Sequence, residues 1–490
     1  MKKIGLSVLS VLVLSLTVSA QLPEDFDRYF MDKTMRIDYF HIGDAKEEIV
    51  TIDQVYEQGI WAGSLNNLID TFNNGRYYVK IHDLSSDMLI FSKGFDSYYG
   101  EYKTTNRAMK GVKRTYHETA LIPYPKNKIR FVLEVRNREN KLLPLFSQVI
   151  DPSGVDICKE PPDKDVQVFE MIKNGHPHVK VDVALIAEGY TSEEEKKLQA
   201  DFERFADILF SQEPYRTYKG MFNIYGVNKP SEQSGCDEPR RGVFKNTTLG
   251  ASFNSLGSER YLLTEDNKAL RDVAANVPYD ALFIMVNHMR YGGGGIYNLF
   301  CTFTTDNQWH RYLFLHEFGH SFAGLGDEYY TSSVAYNEFY PRGVEPTEAN
   351  ITALLDPENL KWKEFITPGV GIPTPWEKEA FDKMDMDYQK IRQEINQKIA
   401  EMKRQVAPKD EIVRIEQKSE QLSREHADKL DAYLAKSKYR DKVGAFEGAG
   451  YSAQGLYRPM LDCLMFTKGD KPYCKVCEQA IIRVIKYYSE

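Results

Sequence analysis

A histidine pair with a glutamate beside it is the clearest chemical signal in the sequence. His316, Glu317 and His320 stand in the order HExxH. On a helix, residues four apart lie on one face, so both imidazoles can bind the same ion, and zinc is the ion that this spacing typically holds. Glu317 is rotated by about 100° from His316 and reaches a water on the ion rather than the ion itself. The motif therefore predicts a hydrolytic zinc centre with Glu317 as general base.

A third ligand is missing from this motif, because a hydrolytic zinc ion normally has three protein ligands and one open position. The metzincin spacing would place a histidine six residues after His320, but Gly326 occupies that position. Asp327 is the preferred third ligand, because the glycines before it allow the chain to turn back towards the ion. Glu328, next in the chain, and Glu447, far downstream, are the alternatives.

Two residues near the C-terminus are candidate supports of the zinc centre. Metzincins have a methionine on a tight turn beneath the ion, and Met465, which follows Cys463, fits that role better than Met460. The alternative for such a methionine is plain core packing. Tyr457 is a candidate hydrogen-bond donor to the oxyanion that forms during hydrolysis.

The elements that must position these residues alternate between strands and helices. Apolar residues at helical spacing before His316 predict a helix that ends at Gly324. Residues 179–186 and 279–286 predict buried strands. The run Gly292–Gly295 predicts a flexible loop leading into an edge strand, which could hold an extended peptide by strand addition.

A long helical hairpin is predicted at 376–440, inserted in the second domain. Two runs rich in Glu, Lys, Gln and Ala carry apolar residues at helical spacing, and Pro408 separates them. A solvated surface is the simplest interpretation of their charged faces, and partner binding is the alternative.

The N-terminal part has a different pattern. Residues 21–155 contain short β-branched and aromatic runs separated by turn residues, which predicts a β-sandwich. Residues 1–20 have a cationic start, an apolar run and small residues before Gln21, which is typical of a signal peptide. We therefore expect an exported chain, periplasmic, cell-surface or extracellular, without a stable membrane span.

Composition and cysteines limit the remaining options. The chain has 490 residues and a net charge of −8, which disfavours nucleic acid as a partner. Six cysteines in an exported chain favour structural disulfides over redox catalysis, with Cys463 paired to Cys474 or Cys477. Because there is a single CxxC, a four-thiolate zinc site is not expected.

Together these motifs resemble the bacterial IgA-peptidase family of zinc metallopeptidases. The resemblance rests on 316–329, on Gly448-Ala-Gly-Tyr451, and on Tyr457-Arg458-Pro459 leading to Cys463 and Met465. It implies an α+β multidomain chain in which the N-terminal β-sandwich precedes an α/β metzincin-like zinc peptidase domain at 165–490. By position it implies His316 and His320 as zinc ligands, Glu317 as base and Asp327 as third ligand.

The predicted function is that of a secreted zinc endopeptidase, with immunoglobulin A or another host or dietary glycoprotein as candidate substrate. One zinc ion is expected, and a calcium ion near Asp327 and Glu328 is an open possibility. The alternatives are a secreted binding protein for glycans or host proteins with a structural or inactive zinc site, and a hydrolase of non-peptide amides.

Overall fold

The computed structural model describes residues 26–331 and 339–490. The predicted signal peptide at 1–20 lies outside these ranges. Within them the chain has mixed α/β structure with several sheets. No helix in the described part combines the length and the apolar composition that crossing a membrane requires.

The N-terminal part is built from strands and three short helices. In chain order they are α1 (Phe26–Tyr29), β1 (Phe30–Gly43), β2 (Glu48–Gln58), β3 (Tyr77–Asp83), β4 (Leu89–Phe95), α2 (Tyr98–Tyr102), α3 (Asn106–Met109), β5 (Arg114–Pro125), β6 (Ile129–Arg136), β7 (Leu142–Ile150) and β8 (Ile157–Cys158).

These strands form two four-stranded sheets around one apolar core. One sheet has the order β5-β1-β2-β8, and the other has the order β4-β3-β6-β7. Because side chains alternate along a strand, one face of each sheet turns inward. Ile37 of β1, Ile81 of β3 and Phe131 of β6 meet there, fully buried. Strand β8 begins at Ile157, beyond the predicted domain boundary at 155.

The second part alternates strands and helices. In chain order they are β9 (Gln167–Ile172), β10 (Val181–Glu188), α4 (Glu195–Ser211), β11 (Phe222–Asn228), α5 (Asn267–Ala274), β12 (Ala281–Val286), β13 (Gly293–Ile296), β14 (Phe300–Thr304), α6 (His310–Ala323), α7 (Lys378–Arg404), α8 (Lys409–Leu434), β15 (Val443–Ala449), β16 (Ser452–Met460) and α9 (Lys475–Ser489).

A six-stranded sheet is the centre of this part, in the order β13-β14-β12-β10-β11-β9. The four inner strands are parallel, and both edge strands are antiparallel to their neighbours. Every residue of β10 and β12 is buried, as expected for strands covered on both faces. Helices α4, α6 and α9 contribute to the core on one face, and α5 contributes to the core on the other.

The prediction of a flexible loop at Gly292–Gly295 was wrong. Gly293–Ile296 is itself the edge strand β13, and β14 lies inside it. A Cβ atom on Gly295 would lie 2.4 Å from the Glu317 backbone oxygen and 2.9 Å from the His320 Cβ. The glycines therefore let this strand lie close against α6, rather than making the segment flexible.

Helices α7 and α8 occupy the place of the predicted hairpin. They pack against each other and are joined through Pro408. One side of the pair is not solvated, because Phe381 of α7 and Leu430 and Leu434 of α8 are buried in the same core as α6. The hairpin is thus fixed to the second part of the chain.

Candidate metal centre and its cleft

Helix α6 holds the HExxH motif between the sheet and an open cleft. Phe314 and Phe318 pack on Phe283 of β12, with ring centroids 4.4 and 4.3 Å apart. The helix ends at Gly324, which adopts a left-handed conformation with φ of 60°, as the sequence predicted. The histidines and the glutamate lie on the side of α6 that borders the cleft.

Three side chains meet with the spacing that one ion requires. His316 Nε2 and His320 Nε2 are 3.2 Å apart, and Asp327 Oδ1 is 3.1 Å from each of them. Ligand atoms about 2 Å from a tetrahedral zinc ion are separated by about 3.3 Å. The donor set of two imidazoles and one carboxylate therefore fits a zinc-sized ion.

Hydrogen bonds behind these candidate ligands fix their orientation. His320 Nδ1 lies 2.5 Å from the Leu325 carbonyl oxygen, and His316 Nδ1 lies 3.2 Å from that of Leu464. A carbonyl oxygen requires a proton on the facing nitrogen, so Nε2 of each ring is left free for a metal. The Tyr451 hydroxyl donates to Asp327 Oδ2 at 2.5 Å, which leaves Oδ1 facing the histidines.

The two alternative third ligands lie elsewhere. Glu328 turns away from the histidines and accepts a hydrogen bond from the Asn350 amide at 3.0 Å. Glu447 accepts one from the Gly455 backbone within the β15–β16 hairpin. The structure therefore brings Asp327 alone of the three candidates to the histidine pair.

Glu317 lies beside the three ligands and against the edge strand. A Cβ atom on Gly293 would be 3.0 Å from Glu317 Oε1, so the carboxylate borders β13 directly. Burial raises the pKa of Glu317 above its usual value, although the neighbouring histidines act in the opposite direction. A raised pKa makes this carboxylate a stronger proton acceptor than an exposed glutamate, which suits a general base.

Met465 and Tyr457, the two residues predicted to support the zinc centre, lie in different places. Met465 is fully buried, and its Sδ would lie 3.0 Å from a Cβ on Gly319, so it sits directly beneath α6. Tyr457 pairs through its backbone with Thr352 and does not line the cleft. Its predicted role at the oxyanion therefore has no support from the structure, whereas Tyr451 does line the cleft.

The predicted calcium ion also has no support. Calcium takes oxygen ligands, but Glu328 faces a group of thiols instead of further carboxylates. All six cysteines are free thiols in this structure, so the predicted disulfides are absent from it.

Two family models match the chain over most of its length. The model described as IgA Peptidase M64 matches residues 169–485, and the Peptidase M64 N-terminus model matches residues 25–147. The chain belongs to the IgA peptidase M64 family. It is therefore a metallopeptidase, and the resemblance seen in the sequence is confirmed. No curated protein matches the chain.

The cleft of this M64 peptidase is built by both parts of the chain and by the helical hairpin. Its walls carry side chains from beyond the motif, including Asn74, Asp96, Glu101, Arg260, Tyr291, Tyr329, Tyr340, Glu348, Asp385, Tyr388, Arg392, His426, Tyr451 and Lys468. Sequence reasoning missed most of them, because no local pattern marks them and only the fold brings them together.

Three basic side chains of this M64 peptidase, those of Arg260, Arg392 and Lys468, line the cleft close to one another. Arg260 donates to the Tyr329 hydroxyl at 2.9 Å, and the Lys468 ammonium lies 3.6 Å from the Tyr291 ring centroid. Arg392 has a buried Nε without a hydrogen-bond partner in the described structure. Burial, together with Arg392 and Arg260, holds the pKa of Lys468 well below its usual value. The mutual repulsion of these groups favours an anionic group in the cleft.

Proposed function

We propose that this chain is an exported zinc endopeptidase that cuts peptide bonds of protein substrates. One observation carries the proposal: His316, His320 and Asp327 form a triangle with edges of 3.1–3.2 Å, open to a cleft that Glu317 borders. The N-terminal sheets around a single core support a β-sandwich, and Met465 beneath α6 supports a metzincin-like second domain.

The ligands would be His316, His320 and Asp327. A zinc ion bound there would supply Lewis-acid chemistry, lowering the pKa of water and polarising a carbonyl. The role of Glu317 is to accept a proton from the attacking water at its carboxylate and to return it to the leaving amine. Tyr451 would hold Asp327 in place through the hydrogen bond to Oδ2.

The substrate would lie along the edge strand β13. An extended peptide can pair with an exposed strand through its main chain, with little demand on sequence. The first residue of the strand already accepts a hydrogen bond, from the Leu262 N–H to the Gly293 oxygen at 3.2 Å. We therefore place the substrate pairing at Gly294–Ile296, beside Glu317.

The family and the predicted signal peptide guide the choice of substrates to test. The family takes its description from IgA peptidases, so immunoglobulin A is the first substrate to test, followed by other host or dietary glycoproteins. The signal-peptide pattern at 1–20 supports action outside the cytoplasm.

The deciding experiment compares the wild type with Glu317→Gln on immunoglobulin A and casein, with cleavage read by mass spectrometry. We expect Glu317→Gln to keep its zinc and to lose about 10²–10⁴-fold in rate, the usual contribution of a general base. Glu447→Gln is the matched control, because that carboxylate lies outside the site, and it should cleave normally. Wild-type rates in Glu317→Gln would refute the assignment. A wild type that binds zinc but cuts no protein would favour a binding protein instead.

A further inference from the structure

Three cysteines and one glutamate meet behind the candidate metal centre. None of them has a role in the proposed hydrolysis. The side-chain ligand atoms of Glu328, Cys463, Cys474 and Cys477 all lie within 4.8 Å of one another. None of the four residues exposes more than 3% of its surface. This group, called here the thiol cluster, is separate from the His316, His320 and Asp327 triangle.

The distances in the thiol cluster match a tetrahedral metal site. Cys463 Sγ and Cys477 Sγ are 3.8 Å apart, and Cys477 Sγ is 3.4 Å from Glu328 Oε1. With Zn–S near 2.3 Å and Zn–O near 2.0 Å, tetrahedral geometry places two sulfurs about 3.8 Å apart and a sulfur about 3.5 Å from an oxygen. A disulfide would need about 2.05 Å between the sulfurs. The arrangement therefore has the spacing of ligands around an ion.

Backbone N–H groups donate to two of the three sulfurs. Cys463 Sγ accepts hydrogen bonds from the N–H groups of Cys474 at 3.1 Å and Met465 at 3.4 Å. Cys474 caps the N-terminus of α9, where its Sγ accepts from the Cys477 N–H at 3.5 Å. A neutral thiol is a weak acceptor, whereas N–H donors and a helix N-terminus stabilise the anion that binds metals.

The carboxylate of Glu328 has one oxygen whose capacity to accept hydrogen bonds is unsatisfied. Its Oε2 is buried and has no hydrogen-bond partner among the described residues. Arg458, also buried, donates from its two terminal nitrogens to the carbonyl oxygens of Glu447, Gly448 and Leu461, and not to this oxygen. A buried carboxylate is costly unless it is paired or coordinates a metal, and a metal ion would satisfy this one.

We propose that Cys463, Cys474, Cys477 and Glu328 bind a structural metal ion of the zinc type. Four protein ligands close the site, as is usual for structural zinc. The ion would join α9 to the segment that carries Met465 and Leu464, and both to Asp327 through its neighbour Glu328. It would thereby hold the parts that position the catalytic ligands.

Metal counting on the full-length protein, isolated from the exported fraction without reductant, tests this proposal. We expect two zinc ions per chain in the wild type, one in His320→Ala and one in Cys477→Ser. Cys236→Ser is the matched control: Cys236 is buried but distant from the thiol cluster, and this variant should keep both ions.

Cobalt substitution identifies which site is filled. Thiolate-to-cobalt charge transfer gives a near-ultraviolet absorption that a centre of histidine and aspartate lacks, so the band should persist in His320→Ala and disappear in Cys477→Ser. A band that persists in His320→Ala assigns cobalt to the thiol cluster even where Cys477→Ser fails to fold.

Absence of the band in the wild type, or a disulfide among the three cysteines in the unreduced protein, would overturn the proposal. The band without any protein cleavage would contradict the proposed peptidase function and leave the thiol cluster assignment standing.

Discussion

His316 and His320 each bond a backbone carbonyl with one ring nitrogen, so that the other nitrogen of each ring faces Asp327. These carbonyls belong to Leu464 and Leu325, which lie on separate segments. The surrounding chain therefore orients both rings, because each carbonyl contact fixes the tautomer that leaves Nε2 free.

The Tyr451 hydroxyl is the corresponding support for Asp327, to which it donates at 2.5 Å. Loss of such a partner typically lowers metal affinity by about 10–100-fold. We expect that decrease in Tyr451→Phe, measured by competition with a chromophoric chelator. Tyr457→Phe is the control, because Tyr457 does not line the cleft, and its affinity should match the wild type. Equal affinities for both variants would show that the hydrogen bond does not support the ligand.

Helix α7 contributes a basic side chain, Arg392, to the wall of the cleft. Arg392 reaches the cavity wall near Arg260 and Lys468, and burial together with Arg260 lowers its pKa. The three basic side chains come from three different segments of the chain, so the hairpin completes this subsite rather than forming it alone.

We expect this subsite to prefer substrates with an acidic side chain near the scissile bond. A hydrogen bond to a charged group contributes about 1.5–3 kcal/mol, so Arg392→Gln should raise KM for such peptides by about 10-fold or more and leave neutral peptides unchanged. Arg414→Gln, on the exposed face of α8, is the matched control. The subsite assignment fails if Arg392→Gln affects acidic and neutral peptides equally.

The N-terminal sheet contains a charged group that links three neighbouring strands. His41 of β1 contacts Glu118 of β5 at 2.8 Å and Glu48 of β2 at 2.9 Å. Burial opposes the charge of His41, but the two carboxylates raise its pKa from 6.5 to about 9. Because the pKa is raised in the folded state, the stabilisation is complete below about pH 6.5 and is lost as the pH rises through about 9.

That shift corresponds to about 3 kcal/mol in the free energy of unfolding. We expect urea denaturation to show this loss between pH 6 and about pH 10 in the wild type. In His41→Gln the free energy of unfolding should fall by about 3 kcal/mol less over this pH range, because the titrating group is gone. Parallel pH profiles for the two proteins would contradict the role given to His41.

Sequence reasoning succeeded where the determining interactions are local. The spacing of His316 and His320 on a helix, and the end of that helix at Gly324, depend on neighbours within one or two turns. Helices α7 and α8 likewise follow from apolar residues at helical spacing within each helix. The M64 family was recognisable for this reason, since the HExxH residues of this chain lie on one helix.

Sequence reasoning was incomplete where contacts between distant segments determine the position of a side chain. The sequence favoured Asp327 over Glu328 as third ligand but left Glu328 open. Contacts from distant segments separate the two side chains: Asp327 contacts Tyr451, and Glu328 contacts the thiol cluster. The glycines before Ile296 suggested flexibility, but their close packing against α6 makes them a strand. No local sequence pattern marks the three basic side chains of the cleft, because three separate segments supply them.

At the scale of the whole molecule, the N-terminal part is packed against the end of helix α6. Asn74 donates to the Gly324 carbonyl at 3.2 Å, and Asp96 donates through its backbone N–H to the Tyr297 carbonyl at 2.9 Å. Asn67 donates to the Tyr487 carbonyl on α9 at 2.8 Å. These hydrogen bonds connect the N-terminal part to the end of α6 and to α9.

Metal removal should consequently destabilise both parts of the chain together. A ligand at about 1,000 times its Kd stabilises the folded state by about 4 kcal/mol, and chelation removes that contribution. We expect a single thermal transition that shifts down on chelation and returns when zinc is restored. In hydrogen exchange, amides of β3 and β12 should lose protection in parallel, because Gly324 connects the end of α6 to Asn74. Unchanged protection in β3 after chelation would show that the N-terminal sheets fold independently of the metal centre.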